Sequence, residues 1–236
     1  MEEVQAFTEK VPFHIYLLNI FYCLLPAFLI YLGILVGFPV EMTLFIHFVI
    51  ELIIPKIIIS QFKDSYLFRI EWRANRFEGS LIMGLVLGFI FCGLTILLYY
   101  FFDKILGWDL EDNLLREPIP QNKILEIIAA FYLIVIKPFI EEWFWRSYCY
   151  FIFYRTEIDN WLNSVLWATA YVVLAIMCGL EMKGCIIVFI AFTLFGRIQL
   201  FMMKSYGLLV AVMSHMGASF GVMLCYFLEK NRKFGE

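Results

Sequence analysis

The sequence predicts an all-α, polytopic transmembrane helical bundle, and three observations carry that prediction. Of 236 residues, 63% are hydrophobic and only 17% are charged, whereas soluble domains run at about 45–50% apolar and about 25% charged. The mean hydropathy is +0.83, and 26 Phe and 13 Tyr exceed what one soluble core can hide, because a folded chain of this size still needs a polar skin. The apolar residues also gather in runs that approach the ~20 residues a membrane helix requires. These features exclude a soluble enzyme and a disordered chain. The net charge of −3 provides no basic patch to neutralise phosphates, so no nucleic-acid partner is expected.

The elements follow in order. Met1–Lys10 carries three acids and one lysine ahead of a long apolar run. A cleaved leader has a basic start and a shorter apolar region, so the first span is expected to stay as an anchor. The spans are Phe13–Val36, Met42–Ser60, Gly79–Phe102, Trp161–Cys178, Gly184–Met203 and Gly207–Leu228. In the second, Glu51 and Lys56 are spaced to pair across a kink at Pro55.

One further apolar stretch, Ile124–Tyr154, is interrupted by Lys137, Pro138, Glu141, Glu142 and Arg146. As a single helix it would be about 46 Å long, longer than the ~30 Å hydrocarbon core, so a kink or break near Pro138 is expected.

Gln61–Glu78 and the C-terminal tail are basic, while Asp103–Gln121 is acidic. The positive-inside rule then places both termini in the cytoplasm and requires an even number of crossings. About eight helices are expected in a single domain over residues 1–236, with seven as the alternative. Gly84-x-x-x-Gly88 and Gly217-x-x-x-Gly221 are small-residue stripes that let helices approach closely. The six cysteines form no C-x-x-C pair, so they read as small core residues rather than a disulfide framework or a zinc site.

Ionisable groups in lipid cost about 2.5–3.5 kcal/mol each on insertion scales. The densest cluster runs from Lys137 to Arg146. Glu142 and Arg146 are i,i+4 and can pair on a helix. Glu141 points about 100° away on the helical wheel, without a cation near in sequence, and suits a general base. In the last span His215 and Ser219 are also i,i+4 and share a face. A transporter reading would draw on His47, Glu51, Lys56, Glu126, Lys137 and Arg197, but the chain lacks the paired discontinuous helices and repeats expected of one.

Glu141-Glu142-x-x-x-Arg146, followed some 70 residues later by His215 in a small-residue-rich helix, resembles the CAAX-protease and bacteriocin-processing (Abi-type) intramembrane proteases. The resemblance covers a core of residues 124–228. That family continues with Phe-x-x-x-His and then His-x-x-x-Asn or Asp. Here the second motif aligns as Trp167-x-x-x-Tyr171, and the third ends on Ser219.

The resemblance implies an intramembrane glutamic-type endopeptidase. Glu141 would activate a water, Glu142 and Arg146 would hold the helix and tune that base, Tyr171 would orient the water or donate to an oxyanion, and His215 with Ser219 would stabilise the oxyanion. Tyrosine, with a reference pKa of about 10, is a poor base but a competent donor. The implied substrate is a membrane-tethered peptide such as a prenylated CAAX terminus, and the implied partner is membrane lipid. The two departures keep open a catalytically inactive family member that acts as a scaffold or as a subunit of a membrane complex.

No cofactor and no metal are expected, since there is no H-E-x-x-H and only His14, His47 and His215 supply imidazoles. The expected membrane is the endoplasmic reticulum in a eukaryote and the plasma membrane in a bacterium. Glu141, Tyr171, His215 and Ser219 are expected to face one cavity, because each must find a polar partner or water.

Overall fold

The computed structural model describes residues 13–36, 45–46, 48–61, 77–106, 123–150, 157–177 and 180–234. Seven helices stand among the described residues. Helix α1 is Phe13–Val36. Helix α2 is a π turn, Val49–Ile53, running into Ile54–Gln61. Helix α3 is Phe77–Leu106. Helix α4 joins Lys123–Phe131, a π segment Tyr132–Ile136, Lys137–Glu142 and a second π segment Trp143–Cys149 without a gap. Helices α5, α6 and α7 are Glu157–Met177, Met182–Tyr206 and Leu208–Phe234.

The chain is therefore a membrane protein built entirely of helices in its described parts. Among the described residues, four stretches are long and apolar enough to cross a bilayer: Tyr16–Gly33, Gly79–Phe101, Met182–Tyr206 and Leu208–Glu229. The helix count among the described residues matches the alternative of seven approximately. Helix α4 is neither broken at Pro138 nor folded into two passes. Proline lacks an N–H and its ring crowds the carbonyl four residues earlier. That carbonyl belongs to Ile134, which lies inside the π segment Tyr132–Ile136. The wider turn absorbs the clash, a common use of π segments inside helices. The basic loop 62–76, most of the acidic loop and the end of the tail, on which the expected orientation rests, lie outside the described residues.

Two compact units divide the chain: Met1–Ala74 with Ile140–Leu208, and Asn75–Phe139 with Leu209–Glu236. In the first, α5 packs on α6 and on α1. Its core joins Cys23 of α1 to Phe144, Trp145, Tyr148 and Cys149 of α4 and to Leu166 and Trp167 of α5. Gly196 lets α6 come close to α5, since a Cβ there would stand 3.0 Å from the Trp167 ring and 3.2 Å from Ser164 Cβ. Helix α6 ends at Gly207, whose φ of 95° suits only glycine, and whose N–H donates to the Met203 carbonyl.

In the second unit α3 and α7 meet along the two small-residue stripes. A Cβ on Gly217 would strike the backbone carbonyl of Gly88, and one on Gly221 would lie 2.8 Å from the Cys92 carbonyl oxygen. The stripes are thus packing devices, as read from the sequence. Ala130, Leu133 and Ile134 of α4 pack with Met223, Tyr226 and Phe227 of α7.

Phe21, Phe89, Ile190 and Phe201 are exposed, while Glu51, Glu141, Glu142, Arg146 and Gln199 are buried. That distribution is what lipid demands of a bundle carrying internal polar groups. Arg197 and Lys204 of α6 reach Glu157 at 3.1 Å and 3.9 Å on the surface of the unit. Arg197 also lies over the Trp161 ring at 4.8 Å.

Candidate active site

Glu141, Glu142 and Arg146 lie at the close of Lys137–Glu142 and inside the π segment Trp143–Cys149, and all three are almost wholly buried. Arg146 Nε stands 3.4 Å from Glu142 Oε2. The contact is ionic rather than an aligned hydrogen bond. The guanidinium also lies over the indole of Trp167, 4.6 Å from the ring centroid, a cation–π contact strengthened by burial. The i,i+4 pairing expected from the sequence is therefore present.

Glu141 points elsewhere and finds its partner thirty residues later. The Tyr171 hydroxyl donates to Glu141 Oε2 at 2.6 Å, the short distance expected of a donor to a charged oxygen. Tyr171 is held on both sides, stacked on Phe192 at 4.2 Å and edge-on to Trp167 at 5.0 Å. The residue standing where the resembled family has histidine thus touches Glu141.

Behind this pair lies a layer of polar groups. Tyr148 Oη donates to Asn19 Oδ1 at 2.7 Å, and Tyr22 Oη donates to the Ile50 carbonyl. Cys23 and Cys149 place their sulfurs 3.3 Å apart. Glu51 is buried beside Ile50, whereas Lys56 is exposed, so the helix does not present the two on one side as an ion pathway would. Tyr16 Oη donates to Asp159 Oδ1 at 2.7 Å at the start of α5.

His215 and Ser219 lie on α7 in the second unit. His215 is buried, and Ser219 is half-buried one turn further on. Ser214 beside them donates to the Ala211 carbonyl at 2.9 Å within the same helix. His14 is exposed on α1. His47 and Cys178 fall outside the described residues. No group of three or more His, Cys, Asp or Glu side chains that could hold a metal ion is found among the described residues.

Two residues at this site were not picked out from the sequence as functional. Asn163, buried on α5, donates from Nδ2 to the Trp145 carbonyl at 2.9 Å. Trp167 had entered only as the first letter of an aligned motif. Their signal was the spacing Asn163-x-x-x-Trp167-x-x-x-Tyr171, which places all three on one face of a helix.

Residues 123–221 match the family described as type II CAAX prenyl endopeptidase Rce1-like. That segment is under half of the chain and contains all three motif regions read above. No curated protein and no solved structure matches the chain.

Proposed function

With an Rce1-like segment as the premise, we propose that the protein is a membrane-embedded endopeptidase in which Glu141 activates a water against a membrane-tethered peptide. The contact of Tyr171 Oη with Glu141 Oε2 at 2.6 Å is the observation that carries this reading. A general base must be held within hydrogen-bond reach of a group that fixes its direction, and this contact aims one carboxylate of the motif while the ion pair with Arg146 engages the other. The tyrosine hydroxyl then orients water in place of an imidazole. Glu142 and Arg146 hold the π segment that presents Glu141. The roles that the family resemblance implies for His215 and Ser219 of α7 are those of donors to the developing oxyanion.

A prenylated CAAX terminus is the substrate class that fits best. Its lipid anchor delivers a scissile bond to the membrane. Purified protein in lipid should cleave a prenylated CAAX reporter, and Glu141→Ala should lower the rate by about 10²–10⁴-fold, the range for a lost acid–base group. Equal turnover by the two proteins would end the proposal.

One observation favours a second reading, a non-catalytic scaffold or subunit of a membrane complex. The Tyr171 hydroxyl occupies Oε2 of the carboxylate, an oxygen that a water would otherwise use. The chain also offers Ser219 where the family has an amide or a carboxylate. The variant Tyr171→His separates the two. If the wild type is silent and the variant cleaves, the scaffold reading holds for the natural protein and the remainder of the site is intact.

A further inference from the structure

The π segment Trp143–Cys149 hands over its hydrogen bonding abruptly at its end. The i→i+5 pattern would give the Tyr150 N–H to the Trp145 carbonyl, but that N–H goes to Ser147. The Trp145 carbonyl, immediately before Arg146, accepts a hydrogen bond from outside its own helix. A backbone carbonyl carries two lone pairs, so it can accept a side-chain donor beside any bond within its own helix. Asn163 Nδ2 supplies one at 2.9 Å, and both residues are almost wholly buried.

Asn163 does not act alone on its helix. One turn later Trp167 covers the Arg146 guanidinium at 4.6 Å, and one turn after that Tyr171 donates to Glu141 at 2.6 Å. A single face of α5 therefore engages the motif helix at three levels, one backbone and two side-chain. Gly196 admits α6 against this region of α5, close to Trp167 and Ser164, which restricts how far the face can turn.

We propose that Asn163 is a positioning residue that fixes the π register of Trp143–Cys149, and so the place of Arg146 and Glu141 relative to Tyr171. The proposal deepens the endopeptidase reading and rests on it only for its kinetic consequence. Misplacement of a reacting group by about 1 Å costs on the order of 10²-fold in rate, so the effect of Asn163 falls on turnover rather than on substrate binding.

The experiment uses full-length protein in lipid nanodiscs and compares Asn163→Leu, Asn163→Ala and Asn163→Gln with the wild type. Two quantities are measured: amide hydrogen exchange along the chain, and kcat and KM on a prenylated CAAX reporter. Leu and Ala are expected to speed exchange in 143–150 while leaving α3 and α7 unchanged, and to lower kcat by about 10–100-fold with KM unmoved. Gln, which keeps the donor, is expected to recover part of both. Ala adds no bulk and serves where Leu does not fold.

Unchanged exchange in 143–150 for both Leu and Ala would overturn the proposal, as would faster exchange spread evenly over the whole protein. A wild type that never cleaves, combined with localised exchange changes in the variants, refutes the endopeptidase reading while supporting the role of Asn163.

Discussion

Where α5 meets the Trp143–Cys149 segment, the contact is made of charges, amides and rings; where α3 meets α7, it is made of glycines. In the first, Arg146 contacts both Glu142 and Trp167, and Tyr171 reaches Glu141. In the second, the Gly88 backbone lies against Gly217, and Gly84 sits under Met213. Both solve the same problem. Lipid tails are as apolar as leucine, so helices in a membrane gain little from burying more apolar surface and must associate through polar contacts or very close packing. The two solutions differ in how they fail. A seam of charges fails when an atom is removed, because its partner is left buried and uncompensated. A seam of glycines fails when an atom is added, because backbone cannot move aside as a flexible side chain can.

The largest expected effect follows from that difference. Glu142→Ala should destabilise the protein by about 3–5 kcal/mol, since it strands the Arg146 guanidinium. Unfolding by denaturing detergent in mixed micelles measures it. Replacing Glu142 and Arg146 together with Leu and Met should recover most of the loss, because apolar pairs of similar volume often match buried ion pairs. A double variant as unstable as the single would show that the charges themselves are not the cost.

Gly217→Ala tests the other seam and should cost about 1–3 kcal/mol, the range for overpacking. Gly93 on α3 is its control, since a Cβ there meets nothing within 4 Å. Gly93→Ala should instead stabilise by about 0.5–1 kcal/mol, because it removes only the entropy cost of a helical glycine. Similar losses at both positions would mean that α3 and α7 tolerate no change anywhere, and the distinction between the seams would weaken.

The smallest effect is expected outside both seams. Arg197→Gln breaks the surface contact with the exposed Glu157 and should change stability by about 0.2–1 kcal/mol at low salt. Raising the salt should shrink that difference, whereas it should leave the Glu142→Ala effect in place.

The helical membrane class was legible from composition, and most spans were legible from apolar run length. The first predicted span and α1 share the same ends, Phe13–Val36, because a bilayer reads length and hydropathy directly. The stripes Gly84-x-x-x-Gly88 and Gly217-x-x-x-Gly221 were equally plain, since only small residues admit backbones so close. The pairing of Glu142 with Arg146 was also local, set by one turn of helix.

Tertiary structure alone decided the rest, and the reason is that it depends on partners distant in sequence or on shifts in hydrogen-bond register. Proline chemistry at Pro138 argued for a break, yet a π segment one turn earlier absorbed the strain and kept α4 whole. The motif resemblance brought Tyr171 toward Glu141 without giving the contact itself, and no local pattern tells which residue answers the carbonyl of Trp145. Those answers come from Tyr171 and Asn163, two turns apart on one face of α5, a helix separate in sequence from the motif.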